Sequence, residues 1–208
     1  MSELFRLIIF VAVFLLLQTL FYLGVEIFEG EPHDVERPID KRIPVIPAFT
    51  FIYVTWYPLI AIVPILLYYT DGMMFLIYMG AVIVDIIISL LAYLIYPTSF
   101  TRPPCENKGL NLVYKMSFKQ MNCAPSMHCS MSYIAIAAAL ACPGLSLPIR
   151  LIIVIDALLI TASTLFTKQH VVIDALTALP CALLSAAAGY GLYSLGLMNG
   201  LLKLIGGF

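Results

Sequence analysis

Apolar residues along this chain fall into six long runs, with the polar residues gathered between them. The runs cover about residues 5–25, 46–69, 73–95, 125–143, 148–167 and 171–197. Each is close to the roughly 20 residues that an α-helix needs to cross a bilayer core. Helix breakers mark several boundaries: Tyr96-Pro97, Arg102-Pro103-Pro104 and Cys142-Pro143-Gly144. The second run holds Pro47, Pro58 and Pro64, which predicts a kinked helix. The first has no charge from Leu7 to Val25 and no small-residue cleavage site after it, so it reads as a retained helix rather than a signal peptide. The pattern predicts an all-α, polytopic membrane protein, one six-helix transmembrane bundle over residues 1–208, with no separate soluble domain.

Composition agrees. Of 208 residues, 62% are hydrophobic and only 11% charged, with a mean hydropathy of +1.01. A soluble domain of this size could not cover its exterior with so few polar groups. The net charge of −1 gives no sign of a nucleic-acid partner; the expected surroundings are membrane lipids. The five cysteines, Cys105, Cys123, Cys129, Cys142 and Cys181, lack the paired spacing of a zinc site and read as small apolar filler. Cys105 and Cys123 bracket the third connection and could pair on an oxidising side.

Two connections are long and polar, 26–44 and 97–124; those near Asp71, Pro143-Gly144 and Lys168 are short. With six spans, parity puts 26–45, 96–124 and 168–170 on one side of the membrane. Arg102, His128 and His170 then share a face. That face carries Arg37, Lys41, Arg42, Arg102, Lys108, Lys115, Lys119 and Lys168, eight of the eleven Lys and Arg residues. Cytoplasmic loops favour such cations, but a phosphate site would also collect them, so the side stays open.

Three polar clusters meet there. In STLFTKQHVVID, 163–174, His170 and Asp174 are four apart and share a helix face. Asp174 can hold one imidazole nitrogen and leave the other free to attack, or the pair can simply satisfy itself at a helix end. In APSMH, 124–128, Pro125 suits the first turn of a helix, whose free N–H groups form an anion site. Ser126 adds a hydroxyl, and His128 can give a proton to a leaving oxygen; a capped helix with an interfacial histidine is the plainer alternative. In YPTSFTRPP, 96–104, Arg102 can fork onto phosphate oxygens. Together these residues suit phosphoryl transfer through a phosphohistidine: His170 attacks phosphorus, His128 protonates the leaving group, and Arg102, Ser126, backbone N–H groups and a lysine stabilise the equatorial oxygens.

At these residues the chain resembles the type-2 phosphatidic acid phosphatase superfamily of integral-membrane lipid phosphatases and phosphotransferases. That family reads Lys-x6-Arg-Pro, Pro-Ser-Gly-His and Ser-Arg-x5-His-x3-Asp. Arg102-Pro103 match the first motif, Pro125, Ser126 and His128 the second with Met127 for glycine, and Ser163, His170 and Asp174 the third. The resemblance covers about residues 95–178, within a core of about 70–197. It implies His170 as nucleophile, His128 as acid, and phosphate contacts from Arg102, Ser126 and Ser163. Two cationic positions depart: the first-motif lysine falls on Ile95 and the third-motif arginine on Thr164. Lys168 is the candidate replacement for one clamp, and Lys108, Lys115 or Lys119 for the other. RIPVIPAFTFIYVTWYP and TKQH are similar to the inositol phosphorylceramide synthase-like branch, which moves a head group between lipids. Many relatives work on the outer membrane face.

Three functions follow as expectations: a phosphatase for a lipid phosphate or pyrophosphate, a lipid phosphotransferase with an alcohol acceptor, and a non-catalytic transporter or scaffold. No cofactor and no metal is called for, so activity is expected in excess chelator. Asp85 and Asp156 lie mid-helix, where carboxylates are expensive; a structural or cavity role is expected rather than a catalytic one, with the two bonded to each other or flooring a lipid cavity. The acidic first connection, with Glu26, Glu29, Glu31, Asp34 and Glu36, reads as a solvated loop, or alternatively as a lid that screens head groups.

Overall fold

The computed structural model describes residues 2–28, 30–116 and 123–206. Glu29 and Lys119 therefore lie outside the described residues. The chain is all-helical apart from one short pair of strands, and the apolar runs become helices: α1 (Glu3–Phe28), α2 (Phe49–Val54), α3 (Trp56–Thr70), α4 (Gly72–Ile95), α6 (Met127–Ala141), α7 (Leu147–Phe166) and α8 (Val172–Ser194). Five helical stretches are long and apolar enough to cross a membrane, counting α2 and α3 as one. The fourth run, 125–143, yields only the 15 residues of α6, which at 1.5 Å per residue is roughly 22 Å, short of a ~30 Å bilayer core. Two small helices, α5 (Lys108–Met116) and α9 (Asn199–Ile205), were not expected from the pattern.

Local chemistry explains the boundaries. Asp71 caps α4, its carboxylate accepting from Met73 N (3.0 Å) and Met74 N (3.1 Å). The kink expected in the second run is a break at Thr55, between α2 and α3. Pro58 has no N–H to offer Val54 four residues back, and its ring crowds that carbonyl, so the helix opens there. Thr55 Oγ1 lies 2.7 Å from Ile52 O and 2.8 Å from Asp156 Oδ1 on α7.

Helices α4 and α8 form the centre of the bundle and touch backbone to backbone. A Cβ on Gly189 would sit 2.5 Å from Ala81 N and from Ile77 O, and one on Gly80 would sit 3.2 Å from Gly189 Cα. Small residues permit this approach, the usual basis of helix packing inside a membrane. Helix α6 packs against α4, α7 and α8, and α1 lies outside with most of its surface exposed. Asp85 on α4 is fully buried and accepts from Ser130 Oγ on α6 (2.7 Å) and Cys181 Sγ on α8 (3.2 Å). So Asp85 and Asp156 bond to separate partners rather than to each other, and each ties helices together, the structural one of the two expected roles.

The first connection is also more than a solvated loop. Its strand β1 (His33–Asp34) pairs in parallel with β2 (Thr98–Ser99) of the third connection. Asp40 is buried, with Oδ2 accepting from Arg37 N (2.8 Å) and Oδ1 from Val172 N (2.8 Å), the first residue of α8. A carboxylate from 132 residues away thus caps the helix that follows His170. Cys105 and Cys123 are not joined by a disulfide.

Candidate functional site

The site is built around the turn from α7 to α8. Helix α7 ends with Thr167 N donating to Ser163 O (2.8 Å), and Gln169 N and His170 N both donate to Thr164 O (2.9 and 3.1 Å). Lys168 carries the reversal at φ +52°, a left-handed conformation that costs a non-glycine residue about 1–2 kcal/mol. Outside contacts hold it. Lys168 Nζ donates to Asp40 O (2.6 Å), and Tyr114 OH on α5 donates to Thr167 O (2.9 Å). Burial lowers the Lys168 ammonium from its ordinary value, while nearby Asp40 and Glu36 oppose that shift.

The reversal turns His170 inward. Its Nδ1 lies 3.2 Å from Asp174 Oδ2 and 3.1 Å from Cys123 O. Asp174 is fully buried and also accepts from Val171 N (2.9 Å). With both contacts on Nδ1, the tautomer is set with the proton there and Nε2 is the nitrogen with a free lone pair. Burial, first, and Asp174, second, raise the Cys123 thiol, so it stays neutral beside the imidazole.

His128 enters from the first turn of α6. Ser126 is the N-cap, and its Oγ accepts from Cys129 N (3.3 Å). Pro125 therefore stands one residue before the cap rather than inside the first turn; its carbonyl accepts from Tyr93 OH on α4 (2.6 Å), which fixes the approach to the helix. The His128 ring lies against Tyr53 (centroids 4.7 Å, 24° between planes) and Trp56 (4.2 Å, 35°). It is 5.8 Å from the His170 ring, centroid to centroid. Its Nε2 is buried with no hydrogen-bond partner, an arrangement that costs about 1–3 kcal/mol until something binds it.

Arg102 completes the group. Its Nη2 donates to Gln169 Oε1 (3.0 Å), and its guanidinium carbon lies 5.1 Å from the centre of the Tyr114 ring. Burial lowers the guanidinium from its ordinary value, but an arginine stays charged at any relevant pH. Arg102, Gln169, His128 and His170 line one cavity of about 380 Å³. Its wall runs along α1 through Glu26, Tyr22 and Gln18, and along α2 and α3 through Tyr53, Trp56 and Tyr57. Leu23 and Tyr57 both line the cavity and are about half exposed on the outer surface.

Of the residues singled out from sequence, His128, His170 and Arg102 come together here, with Asp174 directly behind His170. Three others are placed elsewhere and do not line the cavity. Ser126 Oγ is spent on its own helix cap, Ser163 Oγ donates to Ile160 O (2.6 Å), and Lys168 Nζ goes to the first connection. Of the two departed cationic positions, Ile95 is 79% exposed, and Thr164 is fully buried with Oγ1 donating to Thr161 O (2.8 Å). Gln169, Tyr53, Trp56 and Asp40 were not foreseen. Only Gln169 had a local signal, as the neighbour of His170; the others act across the chain. Among the described residues no three His, Cys, Asp or Glu side chains gather in a way that could hold a metal ion. Compared with known proteins, the chain matches no family model, no curated protein and no solved structure.

Proposed function

We propose that the chain is an integral-membrane lipid phosphatase of the type-2 phosphatidic acid phosphatase kind, acting on a lipid phosphate or pyrophosphate through a phosphohistidine. The observation that carries this is the facing pair of imidazoles. Two rings with centroids 5.8 Å apart line one cavity together with an arginine, so both imidazoles can reach a single phosphoryl group bound there. His170 Nε2 forms the bond to phosphorus while the bond from phosphorus to the leaving oxygen breaks. His128 gives that oxygen a proton. The now neutral His128 takes a proton from water, which attacks phosphorus, breaks the N–P bond, and releases inorganic phosphate and free His170. Asp174 holds His170 Nδ1–H and stabilises the charge that the ring gains. Arg102 and Gln169 meet the equatorial oxygens.

A lipid substrate fits the cavity, because its wall continues to the lipid-facing side chains Leu23 and Tyr57. We take α6 as the sixth span. On that reading a span so short would hold His128 below the membrane surface, at the depth of a head-group ester rather than in open water.

One observation favours transfer to an alcohol instead. Lys168 is tied to Asp40, and Ile95 and Thr164 supply no charge, so among the described residues the cavity walls carry one full cation, Arg102. A monoanionic phosphodiester asks less of such a site than a dianionic monoester. The test is purified protein with a panel of lipid phosphates, pyrophosphates and phosphodiesters in excess chelator, with and without alcohols. Inorganic phosphate that no alcohol diverts supports the phosphatase. Head-group transfer to the alcohol supports the transferase. No turnover of any member by wild-type protein, or turnover that survives His170→Ala, overturns both.

A further inference from the structure

We propose that Tyr53 and Trp56 form a two-sided aromatic clamp that positions His128 and stabilises its protonated form, making them positioning residues for the acid of the reaction above. The inference rests on that reaction for its purpose and on ring geometry for its existence. His128 lies 4.7 Å from the Tyr53 ring and 4.2 Å from the Trp56 ring, at 24° and 35° between planes. Both clamp residues are at least 94% buried, and both belong to the cavity wall. The face of an aromatic ring is electron-rich and attracts a cation within about 6 Å, more strongly where water is excluded. A neutral imidazole gains little from such faces; an imidazolium gains from each. The clamp thus favours the proton-carrying form that the leaving oxygen needs, and returns a neutral ring once that proton is given up.

The surroundings make this support useful. The groups lining the cavity about His128 are His170 from the α7–α8 turn, Arg102 from the third connection, Tyr22 and Glu26 from α1, Tyr57 from α3 and Tyr93 from α4. Arg102 is a fixed cation and opposes a second one, and Glu26 is the only carboxylate among them. A charged His128 therefore needs stabilisation that does not also repel the phosphate, as a carboxylate would, and neutral rings supply that. The clamp is held by backbone design. Tyr53 and Trp56 flank the break at Thr55, opened by Pro58 and tied to Asp156 of α7 by the 2.8 Å contact. This gives the intramembrane Asp156 a role: it fixes the junction that carries both rings.

Trp56 is the only tryptophan in the chain, so its emission reports on its neighbour. A protonated imidazole takes an electron from excited indole more readily than a neutral one. Emission of the wild-type protein should rise in one step as His128 loses its proton. The step should vanish in His128→Gln, persist in His170→Gln, and move to lower pH by roughly half a unit to one unit in Tyr53→Leu. This arm needs no substrate. In a second arm, Trp56→Leu and Tyr53→Leu should each slow release of a lipid alcohol about 5- to 30-fold, slow hydrolysis of p-nitrophenyl phosphate by a clearly smaller factor because that group departs unprotonated, and be largely restored by Trp56→Phe and Tyr53→Phe. Absence of the step, its persistence in His128→Gln, or equal loss with both leaving groups overturns the clamp. If wild-type protein cleaves neither substrate while the step behaves as expected, the proposed reaction fails and the stabilised imidazolium stands.

Discussion

Two tight turns at opposite ends of α7 each have an arginine nearby, and they use it in opposite ways. At the Cys142–Ser146 turn, Arg150 Nε donates to Leu145 O (2.8 Å) and Nη2 to Pro143 O (3.0 Å). Gly144 packs so tightly there that a Cβ would meet Thr70 O at 2.6 Å. That turn is closed by its own arginine and its own backbone. At the Thr167–Val171 turn, the stabilising contacts come from elsewhere: Asp40, Tyr114 and Cys123. Gln169 and His170 are left to line a cavity, where Arg102 joins them. A turn held by its own residues is structural. One held from outside, with its side chains turned to a cavity, is arranged for a ligand.

The sharpest way to break this contrast is the proposed nucleophile. His170→Ala should lower turnover by at least about 10³-fold with little change in the thermal midpoint, read by phosphate release and a melting curve. The arginine pair comes next. Arg102→Ala should cost about 10²- to 10³-fold in kcat/KM and little stability, while Arg150→Ala should keep activity within a few-fold and lose roughly 1 kcal/mol. Equal behaviour of the two would erase the distinction. Asp40→Ala removes the cap of α8 from outside; about 1 kcal/mol of stability should go, and kcat should fall with it as the turn loosens. Lys168→Met should have the smallest effect on chemistry, less than about 10-fold, because its ammonium serves Asp40. A larger loss in KM than in kcat would return Lys168 to the role of a phosphate clamp.

How much of this was readable from sequence follows from the range of each interaction. The apolar runs gave the helices because burial in lipid is a local property of each segment. Arg102, His128 and His170 do line one cavity, although the parity that put them on one face counted six spans and the fourth run is a helix of only 15 residues. Ser126 was assigned to phosphate from its place at a helix start and Ser163 from motif position, but their hydroxyls answer to nearer partners, a helix cap and a backbone carbonyl. Lys168 followed the same rule in reverse: its partner lies 128 residues away, in a connection read as solvent-exposed. No periodicity marks a loop carboxylate as the cap of a distant helix, or two aromatic residues on one helix as the walls around a histidine on another. The kink was legible from the prolines; that Tyr53 and Trp56 would flank it and meet His128 was not.

The most direct test of the central claim is chemical trapping of the intermediate. Protein is incubated with radiolabelled lipid phosphate, quenched within the first turnovers, digested and mapped. The expected result is a label that is acid-labile and alkali-stable, carried on Nε2 of His170 and absent from His170→Ala. Rapid turnover with the phosphoryl group on any other residue, or turnover that continues in His170→Ala, would contradict it.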